Sequence, residues 1–382
     1  MSIPNHYIVL LKESAPASTR DHLDWVSSQE TTGVASARGG GTDDVTLDIR
    51  HEYQSIKGYS AVLTPSALET LKGCDDVDEI VEDTEVTHCA DPHITQSNAP
   101  WGLQRISQKG PLPAGSAVDA LTYQYRRASS VQSTPVDVYV IDTGVKTDHE
   151  EFEGRARWGK TFTGEADADG HGHGTHVAGT IAGKTYGVAK DANIIAVKVL
   201  DNSGRGKTSD IIAAIDWVVQ QAGTSGRPSV INMSLGGPAN LAQDRIANRA
   251  VHSGVHVVVA AGNDAEDASN QSPARARDVI TVGATTIKDE LAEFSNFGKP
   301  VDVLAPGEKI ISAGTASTTA TRSLSGTSMA TPHVVGVIAY LLGLEGNRKP
   351  AQVLADLRSK GIQGVVSSVP KGTVNLLLNN GA

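Results

Sequence analysis

The chain has 382 residues, 39% hydrophobic and 20% charged, a composition that buries a sizeable core, excludes wholesale disorder and leaves room for two or three domains. Thirty-three Lys plus Arg against 43 Asp plus Glu give a net charge of -10, which excludes a nucleic-acid surface spread over the whole molecule. Two cysteines, Cys74 and Cys89, are too few for a disulfide scaffold and lack the paired spacing of a zinc ribbon or finger.

The first residues have no basic n-region and only four consecutive apolar positions, Ile8 to Leu11, so no secretory signal is expected from them. Tyr7 to Leu11 reads as a short strand, and Ser18 to Gln29 as a helix burying Leu23 and Val26. The glycine run between Arg38 and Thr42 reads as a flexible loop rather than a phosphate cradle. Ser60 to Leu63 is a second strand. Thr64 then caps a helix that has Pro65 at its first position, Leu68 and Leu71 on one face and Gly73 closing it. A strand at Val77 to Val81 completes a small α+β module. Residues 1 to 93 carry 6 Lys plus Arg against 17 Asp plus Glu, so the acidity of the chain belongs to this unit, and residues 94 to 382 are nearly neutral.

From Val136 onward, strands alternate with helices. The strands are Val136 to Ile141, Ile194 to Leu200, Ser229 to Met233, Val255 to Ala260, Val279 to Val282 and Val301 to Leu304. They are rich in Val and Ile with little polar alternation, as expected of strands covered on both faces. Helical segments such as Ser209 to Gln221 fall between them, which predicts an α/β fold with a mainly parallel sheet flanked by helices. The longest apolar run, Val334 to Leu344, has 11 residues and reads as a core helix, too short to cross a bilayer. In sheets of this kind, chemistry gathers at the carboxyl ends of the strands.

Three segments carry candidate chemistry there. Asp142 follows a strand and precedes Gly144, as either a turn residue or an orienting carboxylate. The segment Asp169 to Gly179 holds His171, His173 and His176 at a tight turn into a helix. Three imidazoles admit a zinc reading, but the helical pair four apart with an intervening glutamate is missing. Ser328 lies at the start of the apolar helix, where free N–H groups favour developing negative charge, although a serine there can also be a simple cap. Gly206-Lys-Thr208 has the end of a phosphate loop without its leading glycine, since position 201 is Asp, which argues against nucleotide binding.

Asp142, His173 and Ser328 occur in one of the chain orders known for serine triads. Asp-Thr-Gly at 142 to 144, His-Gly-Thr-His at 173 to 176 and Gly-Thr-Ser-Met-Ala-Thr-Pro-His at 326 to 333 resemble the three signatures of the subtilisin-like serine peptidases, the subtilases. The segments 99 to 107, 151 to 155 and 186 to 190 resemble the fungal proteinase K group in particular. The resemblance covers nearly the whole chain, with residues 1 to 93 similar to an inhibitory, ferredoxin-like prosegment and 94 to 382 to the peptidase domain.

It implies a serine endopeptidase in which Ser328 is the nucleophile, His173 the base, Asp142 the orienting carboxylate and Asn263 an oxyanion-hole donor. Gly204, Arg205, Gly206 and Ser234, Leu235, Gly236 would form the two edges that hold a substrate strand, giving broad specificity. Gly236, Ala260 and Gly262 would leave room for a large apolar side chain in the first pocket; as ordinary turn residues, the same glycines would imply nothing. Catalysis would need no cofactor, while a structural calcium ion is implied at Asp302 and the carbonyls of Arg277 and Val279; a second family calcium site is lost where Val365 stands.

Self-cleavage is expected between Cys89 and Gln96, beside His93, which converts an intramolecular inhibitor into a product. The partners are protein and peptide substrates and the chain's own prosegment; a monomer is expected, with no nucleic acid and no membrane. The competing class is a catalytically silent binding protein on the same fold. His171 stands where the family has Asn, and the segment Lys109 to Thr134 is longer than its counterpart, without a functional reading. The absent signal and a cysteine-free peptidase domain point to an intracellular protein, whereas the family points to a secreted or vacuolar one. Sequons at Asn232 and Asn270 do not decide between them.

Overall fold

The computed structural model describes residues 2–15, 18–31, 47–53, 55–85, 93–127 and 135–382. The Arg38 to Thr42 loop, Cys89 and residues 128–134 of the long segment lie outside them. The chain divides into two compact units, Met1–Ala90 and Asp91–Ala382.

In the first unit the order is β1 (Ser2–Leu11), α1 (Thr19–Thr31), β2 (Leu47–Tyr53), β3 (Gly58–Leu63), α2 (Pro65–Lys72) and β4 (Val77–Thr84). Its antiparallel sheet runs β2-β3-β1-β4, the ferredoxin-like order. The module read from the sequence has one strand too few. The additional strand, β2, lies at the sheet edge, and Asp48, Arg50, His51 and Glu52 leave it only a short apolar alternation at Leu47, Ile49 and Tyr53. Thr64 caps α2 as expected, its hydroxyl accepting from the Ala67 N–H, with Pro65 at the first helical position. Val9, Leu11, Leu23, Val26, Tyr59, Leu63 and Leu71 form the core of this unit.

The second unit opens with β5 (His93–Ala99) and α3 (Trp101–Ile106), and β5 pairs antiparallel with β6 (Leu121–Arg126). Its centre is a nine-stranded sheet. In chain order the strands and main helices are β7 (Asp137–Asp142), β8 (Ala156–Thr161), α4 (His173–Ala182), β9 (Asn193–Lys198), α5 (Thr208–Ser225), β10 (Ser229–Met233), α6 (Leu241–His252), β11 (His256–Ala260), β12 (Ile280–Thr285), β13 (Val303–Pro306), α7 (Thr327–Glu345), α8 (Pro350–Lys360), β14 (Ile362–Gln363) and β15 (Leu376–Leu377). All neighbours in it are parallel except β14 and β15.

From β7 the chain builds β8 and β9 on one side, then β10, β11, β12 and β13 on the other, so β7 and β10 flank a switch point. A crevice opens at the carboxyl edge of such a point. Both faces of the sheet are covered. Helices α4 and α7 pack on one side and α5 and α6 on the other, which is why β7, β10, β11 and β12 are buried along their whole length. Helix α7 is long and apolar enough to cross a membrane, yet 83% of its most apolar window is buried in the protein. It is the central core helix.

Candidate active site

At the end of β7, the carboxylate of Asp142 is fully buried and faces the first residue of α4. His173 Nδ1 lies 2.8 Å from Asp142 Oδ1 and 3.0 Å from Oδ2, while Oδ1 also accepts from the Thr143 N–H at 2.7 Å. Their approach depends on Gly174: a Cβ there would stand 2.1 Å from the Gly144 carbonyl oxygen. Gly172, just before the helix, has φ of 90°, a conformation that favours glycine.

The turn into α4 is held by Asp169, which sequence reasoning did not single out. Its Oδ1 accepts from the N–H groups of His171 and Gly172 and from the Thr143 hydroxyl; its Oδ2 accepts from the Thr175 N–H and hydroxyl. A second unrecognised residue is Lys198, whose buried ammonium donates to the Thr143 carbonyl and to Asn202 and pairs with Glu165. Burial of the His173 ring pushes its pKa down, but Asp142, helped by Asp169, outweighs this and leaves it above that of an ordinary histidine.

The other two histidines do not join His173 in a metal cluster. Among the described residues, no three-ligand group forms around them. His176 is buried, with Nε2 3.0 Å from the carbonyls of Ile310 and Arg322, and burial takes its pKa to about 4. His171 lies on the rim, its ring centre 6.2 Å from that of His173.

Ser328 sits in the first turn of α7. Its hydroxyl donates to the Ser234 carbonyl at 3.1 Å, and the Ser234 hydroxyl donates to the Ser328 carbonyl at 2.8 Å, tying the end of β10 to the start of α7. Asn263 uses Oδ1 to accept from the Thr327 N–H and hydroxyl, at 2.8 and 2.9 Å, which turns its Nδ2 away from Thr327.

Two cavities meet at Leu235 and Gly236. The larger, about 590 Å³, runs between Ser203 to Gly206 on one side and Ser234 to Pro238 on the other, with His171 and His173 in its wall. Asp201 shapes the first of these edges by accepting from the N–H groups of Ser203 and Arg205 and from the Ser203 hydroxyl, which take its own pKa down to about 2. The smaller cavity, about 180 Å³, is lined by Gly236, Ala260, Gly262, Asn263, Gln271 and Ser328, among others. Gly262 has φ of 107°, and a Cβ on it would lie 2.3 Å from Asn296 Nδ2.

The calcium-ligand candidates lie apart from this cleft. Asp302 accepts from the Thr281 N–H through Oδ2, and its Oδ1 is 3.3 Å from the Arg358 guanidinium. Arg277 is exposed, Val279 is buried, and Val365 offers no carboxylate. In the long segment, Tyr123 is buried and donates to the Val188 carbonyl, its ring stacked on Tyr125. Residues 121–126 of that segment supply the partner strand of β5.

Residues 134–367 match the model of the subtilase family, and residues 6–88 match that of the peptidase inhibitor I9 family. The chain is 41% identical to the subtilisin-like serine protease Cur l 4.0101 of Cochliobolus lunatus, over 99% of this chain and 80% of that protein. It is 40% identical to the subtilisin-like serine protease Pen c 2 of Penicillium citrinum, over 99% and 88%, and 40% identical to alkaline protease 2 of Aspergillus fumigatus, over 99% and 81%. Among solved structures, that of a cold adapted subtilisin-like serine proteinase matches with a TM-score of 0.66 and 44% identity, covering 75% of this chain and all of the other.

Proposed function

Because the chain belongs to the subtilase family and is a serine protease carrying an I9 inhibitor prosegment, we propose that Asp142, His173 and Ser328 are its catalytic triad and that it matures by self-cleavage. The observation that carries this reading is the buried Asp142 carboxylate bonded to His173 Nδ1 at 2.8 Å, beside the edge that Ser328 touches through Ser234. That bond fixes the tautomer. With the proton on Nδ1, the Nε2 lone pair is free to take the Ser328 hydroxyl proton as Oγ attacks a peptide carbonyl. Ser328 must first leave the Ser234 carbonyl by rotating about its Cα–Cβ bond, consistent with loose catalytic hydrogen bonds in a substrate-free site.

Charge then develops on the carbonyl oxygen. The Ser328 N–H at the start of α7 and the Nδ2 of Asn263 are the donors in reach of it, acting with the positive end of the helix. Collapse of this intermediate expels the amine with the proton from His173 and leaves an acyl-enzyme, which water opens by the same steps in reverse. The substrate strand lies between Gly204 to Gly206 and Ser234 to Gly236, bonded through its main chain, which sets broad specificity. The pocket of about 180 Å³ takes the side chain before the scissile bond, with an apolar preference given by Gly236, Ala260 and Gly262.

Catalysis uses these side chains alone, and calcium is proposed only as a structural ion at Asp302 with the carbonyls of Arg277 and Val279. An all-oxygen donor set suits that ion. Arg358, whose side chain is 56% exposed, is the cation it displaces. We assign residues 1–93 as the inhibitory prosegment and 94–382 as the peptidase domain. Cleavage after His93 removes its pairing with Arg126 and leaves the rest of the pairing of β5 with β6 intact.

Intact-mass measurement of the wild type beside Ser328→Ala tests the reading. The wild type should lose the mass of the prosegment and bind a serine-directed covalent inhibitor at Ser328, whereas Ser328→Ala should keep its full mass and remain unlabelled. A folded wild type that keeps its full mass and does not react with the inhibitor would make the chain a silent member of the fold.

A further inference from the structure

A group of metal-binding side chains lies inside the first unit and includes no residue of the peptidase chemistry. His22, Cys74 and Asp76 place one ring nitrogen, one thiol sulfur and one carboxylate oxygen within 4.8 Å of one another. They come from two separate pieces of chain. Cys74 and Asp76 lie two apart in the turn between α2 and β4, which backbone bonds hold firmly: the Cys74 N–H donates to the Leu71 carbonyl, the Val77 N–H to that of Cys74, and the Lys12 N–H to that of Asp76. His22 comes from α1. It is 1% exposed, with its ring between those of Trp25 and Tyr59 and Nε2 3.3 Å from the Tyr59 hydroxyl. Among the described residues, neither the Cys74 thiol nor the Asp76 carboxylate makes a side-chain hydrogen bond, so both donors are available.

We propose that this cluster is a zinc site that ties α1 to the α2–β4 turn of the prosegment. Mixed nitrogen, sulfur and oxygen donors suit zinc and not calcium or magnesium, which take oxygen alone. Donors around a tetrahedral zinc stand roughly 3.5 Å apart, so the cluster closes by about 1 Å through side-chain rotation. Cys74 and Asp76 are only half-buried, which leaves an entry path and room for a water as the fourth ligand. The thiol gives up its proton on binding, and with Nδ1 of His22 as the ligand, the Tyr59 hydroxyl 3.3 Å from Nε2 orients the imidazole from outside the ligand shell. An ion that binds the folded unit and not the unfolded chain stabilises it by mass action. Zinc therefore prolongs the life of the folded inhibitor, a consequence that rests on the prosegment reading; the site itself does not.

The test uses the reduced, full-length Ser328→Ala chain, with its mass checked so that any self-cleavage is read separately. After exposure to zinc and gel filtration it should hold one zinc per chain, and cobalt in its place should give the near-ultraviolet band of a thiolate ligand. Cys74→Ser and Asp76→Asn should each weaken zinc retention by at least about tenfold, whereas Cys89→Ser should leave it unchanged. Zinc should raise the unfolding temperature of the prosegment in the parent and not in Cys74→Ser, whose folding is verified by circular dichroism. The proposal is overturned if the reduced chain retains no zinc, or if Cys74→Ser retains as much as its parent, which would place the metal on other histidines.

Discussion

Burial, with the Arg322 guanidinium acting in the same direction, works against Asp142 and Asp169 in setting the proton affinity of His173. The two carboxylates raise it, and the Arg322 guanidinium lowers it. In its proposed role as general base, His173 must be neutral, so the acid limb of kcat/KM should follow its deprotonation and lie above the ordinary histidine value. Removing the positive charge in Arg322→Ala makes the protonated ring easier to form. The limb should then move to higher pH at low salt, and by less at high salt, with kcat at alkaline pH nearly unchanged. A limb that stays fixed or moves down would show that Arg322 does not act on the ring. The signature residues were readable because three rare motifs occur together. Asp169 and Lys198 were not: each is a single charged residue beside a loop, and their roles arise only when the 143, 169 and 202 segments converge.

At the scale of elements, buried strands were the most legible. Ser229 to Met233 was read with its observed limits, and the others within a few residues, because two-sided burial leaves an unbroken run of Val and Ile. Edge strands were not. Ala156–Thr161 is exposed along one side and carries Arg157 and Lys160, so no periodicity marks it, and α6 and α8 were passed over because each buries only a narrow stripe. The contact between α8 and the start of β13 also bears on calcium. Arg358 donates to Asp302, whose carboxyl pKa is raised by burial, and so already supplies a positive charge. In Arg358→Ala that competitor is gone. Calcium should stabilise this variant by about 1 kcal/mol more than it does the wild type, read as roughly 2 °C more in the unfolding temperature, and chelation should reverse the gain. Equal responses in the two proteins would rule out competition, and no response in either would remove calcium from this site.

Across the whole molecule, the charge seen in the sequence is divided unevenly: the acidity lies in the prosegment, and the peptidase unit is close to neutral. Loss of the prosegment should therefore raise the isoelectric point. Acid sensitivity of the peptidase unit has another origin. His176, His256 and His333 are all buried, and burial lowers each from an ordinary value near 6.5 to about 4. His333 packs under α3, where a Cβ on Gly102 would stand 2.5 Å from its Nε2, so it has no room to be solvated in place. A histidine with a depressed folded pKa contributes stability above its unfolded value, and this is lost as pH falls from 6.5 to about 4. Each such group is linked to roughly 3 kcal/mol, so the three together rival the ~5–15 kcal/mol that holds an ordinary domain folded. Thermal unfolding of the separated peptidase unit, inactivated at Ser328 after maturation, should show a steep fall in this window and little change between pH 7 and 8. A flat profile down to pH 4 would mean that these rings are hydrated in the folded state. Two acid transitions should then separate: His173 titrates above 6.5, so activity fails first and returns on neutralisation, and unfolding follows only as the buried histidines take up protons.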